Sequence, residues 1–174
     1  MALRKIVVEG DEVLRKRCKE VPKVNDHIRE ILLDMLDTMR DSYGVGIAAP
    51  QVGILRRMFV ALPNPFYPEL GDTEEDREEE RIYFMINPEI IEMSDNLLEG
   101  NEGCLSVPEK VGTVLRPDYI KMKALDFNGE EKVYEFYDFD ARVMLHEYDH
   151  LDGILYIDKA INIQNTNEIE SEDN

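Results

Sequence analysis

The chain has 174 residues, with 20 Lys and Arg against 38 Asp and Glu, a formal charge of −18. A 43% hydrophobic share at this length suits one domain with a buried core, and no run approaches the roughly 20 apolar residues of a membrane span. Two cysteines exclude a disulfide scaffold, and the charge excludes a general binder of nucleic acid or anionic membrane, because phosphates repel such a surface. Met1-Ala2-Leu3-Arg4-Lys5-Ile6 has neither the apolar run of a signal peptide nor the look of a transit peptide, so the expected compartment is a reducing cytosol.

In chain order, Asp11 suits an N-cap for a short helix to about Cys18, ended by Pro22. Asn25 or Asp26 caps a longer helix, on which Ile28, Ile31, Leu32, Met35, Leu36 and Met39 line one face at helical spacing before Tyr43-Gly44 stops it. Strand-like runs follow at Arg57–Leu62, Ile82–Ile86 and Glu89–Met93. Tyr119–Phe127 and Glu131–Tyr137 flank Asn128-Gly129, a hairpin signal. Asp138 or Asp140 caps a third helix to about Asp152 with Gly153 after it, and Ile154–Ile157 reads as a last strand. The pattern is α+β, with antiparallel strands around one helix. The acid is uneven. Residues 69–81 hold eight acids and two arginines, and Glu168–Asn174 hold four acids, the composition of a solvated surface insertion and a frayed tail.

Three segments carry chemistry. In His146-Glu147-Tyr148-Asp149-His150 the two imidazoles, four residues apart on a helix, share one face and can share one metal ion, while Glu147 can reach a water there without being a ligand. A plain alternative is two surface histidines on an acidic helix, yet the chain has only three histidines. Three protein ligands and an open position make a catalytic site, and Cys104 in Glu102-Gly103-Cys104-Leu105-Ser106 is the best third candidate. Cys18 reads as a small core residue. Gly44-Val45-Gly46-Ile47-Ala48-Ala49-Pro50-Gln51 permits close backbone approach, and Gln51 offers a neutral donor; alone, the segment is an ordinary tight turn. Glu102 and Arg116 pair either as support for the Cys104 loop or as a surface ion pair.

Together, and in order, Gly44–Gln51, Glu102–Ser106 and His146–His150 resemble the motif set of the peptide deformylases: G-φ-G-φ-A-A-x-Q, E-G-C-φ-S and H-E-x-x-H. The likeness runs from about Ile6 to about Tyr156. It implies an α+β fold whose antiparallel sheets surround a central metal-binding H-E-x-x-H helix, with residues 1–160 as the catalytic domain, an acidic insertion near 69–81 and an acidic tail at 161–174. It implies removal of the formyl group from the N-terminal formyl-methionine of nascent polypeptides. Cys104, His146 and His150 would be ligands of one ion, Fe²⁺ in the family, with Ni²⁺, Co²⁺ or Zn²⁺ able to substitute. Glu147 would be the general base, and Gln51 with the Leu105 N–H the oxyanion donors. Val45, Gly46, Gly103 and Val143 would meet the substrate, which adds as a strand. Arg142 stands at the pocket mouth where the family often has an aliphatic residue. The partners implied are formyl-Met nascent chains and transient proximity to the ribosome, without direct nucleic-acid or membrane binding. The acidic C-terminus departs from the basic helix many members use for ribosome docking. Two rival readings are an H-E-x-x-H metallopeptidase, which usually takes a third ligand downstream of that helix, and a non-catalytic metal-stabilised module, which would need neither Glu147 nor Gln51.

Overall fold

Five strands, β1 (Gly46–Ala48), β2 (Met58–Ala61), β3 (Tyr83–Met93), β6 (Tyr119–Leu125) and β7 (Glu131–Tyr137), form one antiparallel sheet in the order β1-β2-β3-β6-β7. A second antiparallel sheet, ordered β4-β5-β8, holds β4 (Leu97–Cys104), β5 (Val107–Pro117) and β8 (Asn162–Asn165). These come from a computed structural model that describes residues 2–167. Two α-helices complete the described α+β fold, α1 (Asp26–Asp41) and α2 (Asp138–Leu151). None is long and apolar enough to cross a membrane.

The helix α1 forms where its apolar spacing places it. The Asn25 side chain accepts the Ile28 N–H at 3.0 Å, and Ile28, Ile31, Leu32, Met35 and Met39 pack on Ile47, Met58, Val60 and Ile86 of the large sheet. The helix α2 has two differing faces. Ala141, Met144, Leu145 and Leu151 join Phe59, Met85, Ile120, Met122 and Phe136 in the main core. Its polar side reaches the small sheet: Arg142 donates to the Val114 and Leu98 carbonyls at 2.9 and 2.8 Å, and Asp149 accepts from Arg116 at 2.7 Å. Burying one such apolar side chain is worth roughly 1.5–3 kcal/mol, so this helix is held between sheets by apolar contact on one side and charged hydrogen bonds on the other.

Several local expectations are corrected. Asp11 caps only a 3₁₀ turn, Glu12–Arg15, because the Cys18 N–H bonds to the Leu151 carbonyl at 2.8 Å and draws the chain straight. The runs at Ile82–Ile86 and Glu89–Met93 are one strand, bent at Asn87 (φ 50), whose amide pairs with the backbone of Val21 on both its N–H and C=O. Tyr137, not Asp138 or Asp140, is the N-cap of α2, with no side-chain cap bond; the two acids sit in its first turn, favourably for the helix dipole. Ile154–Ile157 is not a strand, since a 3₁₀ turn occupies Tyr156–Asp158. The strand comes later, as β8, inside the stretch expected to be tail; Gln164 aligns with Val111 of β5. Glu168–Asn174 lies outside the described residues. Gly153 does follow α2 in the left-handed region (φ 73), and a Cβ there would lie 2.5 Å from the Arg15 carbonyl oxygen.

Candidate metal centre and active site

The tight turn between β4 and β5 places Cys104 opposite Val107, after a register shift at Glu102. One strand end and one helix face therefore converge: Cys104 Sγ and the ring nitrogens of His146 and His150 all lie within 4.8 Å of one another. Sγ is 3.4 Å from His150 Nε2, and the two imidazole centroids are 5.1 Å apart. His146 Nδ1 donates to Glu102 at 2.8 Å, which leaves its Nε2 for the site. A thiolate and two imidazoles, one oriented by a carboxylate, fit a divalent transition-metal ion. Both cysteines are free, and Cys18 is core as expected, its thiol pushed up to about 11 chiefly by burial.

Glu102 is the hub behind this Cys-His-His group. It accepts both Nε and Nη2 of Arg116 at 2.9 Å and Nη1 of Arg142 at 2.7 Å, besides His146. Burial alone would raise its carboxyl, but the hydrogen bonds and charges of Arg116 and His146 outweigh that and hold it far below the usual carboxylate range. Of the two readings of the Glu102–Arg116 pair, the buried support is the one observed: their side chains are 4% and 3% exposed. Burial would lower both imidazoles. His146 is nevertheless raised well above its ordinary value, by Cys104 and Glu102, while His150 falls well below, by burial and by the charges of His146 and Arg116. The negative field that favours a proton on His146 is the field that favours a cation in its place.

Glu147 is buried, its Oε2 has no hydrogen-bond partner among the described residues, and its carboxyl is pushed up to about 7, mainly by burial. It lies against Gly46, where an added Cβ would come within 2.6 Å of Oε1; only glycine leaves that space. Gln51 is fixed at both ends: Oε1 accepts the Ala48 N–H at 2.9 Å, while Nε2 donates to Ser106 Oγ at 3.0 Å and reaches Cys104 Sγ at 3.5 Å. A pocket of about 330 Å³ opens over these groups. Val45, Gly46, Gln51, Gly103, Cys104, Leu105, Val143, His146 and Glu147 all line it, and His150 lies buried beside Cys104.

Arg142 does stand at the pocket, as expected, but its charge is not free there. Its guanidinium is pinned to the carbonyls of Leu98 and Val114 and to Glu102, packed so tightly under β4 that a Cβ on Gly100 would sit 2.7 Å from Cζ. Sequence reasoning missed this clamp; the signal was its spacing, one turn before His146 on the same helix face. It also missed Tyr43 and Phe139, half-exposed aromatics that line the pocket.

A model of one family, polypeptide deformylase, matches residues 3–166. The chain belongs to the polypeptide deformylase family. It is 46% identical to a peptide deformylase of Clostridium botulinum, over 92% of this chain and 98% of that one. The crystal structure of a Thermotoga maritima peptide deformylase is similar with a TM-score of 0.80 and 38% identity, covering 93% of this chain and 100% of that chain. An Ehrlichia chaffeensis deformylase in complex with actinonin is similar with a TM-score of 0.81 and 34% identity, covering 91% and 89%. Deformylases are metalloenzymes that take the N-formyl group off nascent peptides and release formate, and this is the reaction of the chain. The three-residue Cys-His-His group is its candidate metal site among the described residues.

Proposed function

We propose that a single ion held by Cys104, His146 and His150, with the carboxylate of Glu147 beside it, carries the deformylation of formyl-methionine. The observation that supports this most directly is the free, buried Oε2 of Glu147 next to the ligand cluster: a buried carboxylate with an unused oxygen is a proton acceptor in waiting. The ion, when bound, polarises the formyl carbonyl and acidifies water. Glu147 takes the proton of the attacking water and passes it to the departing amine nitrogen. Gln51 Nε2 and the Leu105 N–H donate to the carbonyl oxygen as charge builds there. Val45 and Val143 give the methionine side chain apolar walls, and Gly46 and Gly103 leave room for the extended substrate backbone.

The ion in the cell is, on the family likeness, Fe²⁺, and the soft thiolate with two imidazoles also admits Ni²⁺, Co²⁺ or Zn²⁺, with raw affinity favouring Zn²⁺ over Fe²⁺. On this reading α2 is the central metal-binding helix between the sheets, and the catalytic unit spans about residues 1–160 with the 69–81 insertion outside the chemistry. The chain works in the cytoplasm on formyl-Met nascent peptides near the ribosome, without binding nucleic acid or membrane itself. The test is formate release from a formyl-Met peptide, with the acetylated peptide as control. Glu147→Gln at matched metal content should slow release by about 10²- to 10⁴-fold. Full activity in that variant, or equal hydrolysis of the acetyl peptide, would remove the role assigned to Glu147 or the specificity assigned to the pocket.

A further inference from the structure

The acidic insertion between β2 and β3 does more than face solvent. Tyr67 lies just before it in the same loop, with exposed residues following from Pro68, yet is itself only 9% exposed. Its hydroxyl donates to the Gly44 carbonyl at 2.7 Å, and its ring meets the ring of Tyr43 edge-on at 5.3 Å. Tyr43 and Gly44, with Val45 after them, form one wall of the substrate pocket.

The wall is tied on both sides of Gly44, where the Tyr43 N–H donates to the Arg40 carbonyl at 3.1 Å and the Val45 carbonyl accepts the Leu62 N–H at 2.7 Å, so the Gly44 carbonyl between them is the group that Tyr67 holds. A Cβ on Gly44 would come within 3.0 Å of Leu105 Cδ1 and 3.2 Å of Met39 Cγ, so no side chain can anchor that residue. Tyr43 adopts φ 54, a left-handed conformation that disfavours a residue with a side chain. The Gly44 N–H bonds back to the Met39 carbonyl at 2.9 Å, and Tyr67 takes the carbonyl on the other side. Tyr67 is held in turn. Its own N–H donates to Asp72 at 2.7 Å; the neighbouring Phe66 N–H donates to Glu80 at 3.1 Å, and Glu80 accepts Arg40 Nη2 from the last turn of α1 at 2.9 Å. Burial pushes the phenol up, so the hydroxyl stays a donor through neutral pH.

We infer that Tyr67 is a positioning residue for deformylation, bracing the Tyr43-Gly44-Val45 wall in its substrate-ready shape from the loop between β2 and β3, where acids of the insertion hold it. The inference rests on reading that pocket as the deformylase substrate site. Because the wall touches bound peptide while the reacting groups sit on β4, α2 and the turn after β1, the brace acts on substrate binding and not on the chemical step.

The test uses the metal-loaded full chain with Tyr67→Phe, which keeps the ring and removes the hydroxyl, Tyr67→Ala, which removes both, and Thr73→Ala in the outer part of the same loop as control. Tyr67→Phe should raise KM for a formyl-Met peptide about three- to tenfold, the effect of one lost hydrogen bond, and leave kcat within about twofold. Tyr67→Ala should raise KM further, and Thr73→Ala should match the wild type. Amide exchange should quicken at residues 44–46 in both Tyr67 variants and stay unchanged in β6 and β7. Wild-type KM and wild-type exchange in Tyr67→Phe would overturn the brace, as would faster exchange throughout the molecule. A wild-type chain that releases no formate would overturn the deformylase reading instead, and the exchange pattern at 44–46 would still decide the brace.

Discussion

Glu102 keeps 4% of its side chain exposed and meets Arg116, Arg142 and His146 within 2.9 Å, whereas Glu74 in the acidic loop keeps 80% and meets Arg77 at 3.7 Å. The two regions use the same residue type in opposite ways. Taking a carboxylate out of water is expensive unless its oxygens are fully satisfied, so Glu102 exists only with its partners in fixed positions, and that requirement fixes the strand, the helix and the His146 ring relative to one another. A solvated acid makes no such demand and fixes nothing. Charge organises this molecule in proportion to how far it is desolvated. The loop itself shows the gradation, because Asp72 and Glu80, the two of its acids that hold backbone N–H groups next to Tyr67, are less exposed than Glu74 or Glu75.

The largest break in this comparison is Glu102→Ala. It leaves Arg142 with only carbonyl partners, Arg116 with Asp149 alone, and His146 without its orienting carboxylate. Removing one partner of a buried charge network costs about 3–5 kcal/mol, and losing the carboxylate behind a ligating histidine typically costs about 10- to 100-fold in metal affinity. Urea unfolding together with metal stoichiometry measures both. A variant of wild-type stability that still holds one ion per chain would show that the network is not what joins α2 to the small sheet.

Asp34 stands between the extremes. Its side chain is 6% exposed, but its partner Arg4 is 33% exposed. Oδ1 accepts the Ala2 N–H at 2.8 Å and Oδ2 accepts Arg4 Nη2 at 2.9 Å. The Ala2 hydrogen bond, helped by Arg4 and opposed by burial, holds the carboxyl below its ordinary value. A depressed folded value means that the unfolded chain binds more protons near it, so this contribution is complete above the unfolded pKa of about 3.9 and disappears as pH falls through the folded one. Asp34→Asn should therefore cost about 1–2 kcal/mol at neutral pH, discounted for the exposed arginine, and progressively less below about pH 4. Thermal unfolding of both proteins across that range checks it; a gap that stays constant into acid would mean that the charge contributes nothing.

What the sequence made legible follows the same division. The helix α1 was readable because its contacts are apolar and periodic, and the strands β6 and β7 because an Asn-Gly turn separates them. β4 and β5 were not read as strands. Their inward positions include Glu102, Gly100, Gly112 and Arg116, polar or side-chain-free residues that hide the alternation. The segment after Asp11 was misread because a distant carbonyl, that of Leu151, decides its shape. The candidate site residues could be named from three short motifs; the fold brings all of them but His150 to one pocket and leaves His150 buried beside Cys104. Arg142 and Tyr67 could not: an arginine on a helix and a tyrosine beside an acidic run both look like surface, and only tertiary contact shows what they hold.

The smallest effect tests the other end of the comparison. Glu74, Glu75 and Glu78 are exposed, and the ion pair of Glu74 with Arg77 is long and open to solvent. Changing all three to Gln moves the net charge from −18 to −15. Because water screens such charges, stability should stay within about 0.5 kcal/mol and the KM for a formyl-Met peptide should not move. The single change Glu80→Gln should cost more than the triple, about 0.5–1 kcal/mol, since Glu80 joins Arg40 to the Phe66 N–H at partly buried positions and so helps hold Tyr67. Urea unfolding at low and high salt orders the two variants. If the triple is the more destabilised, position in the loop, and not desolvation, sets what its acids do.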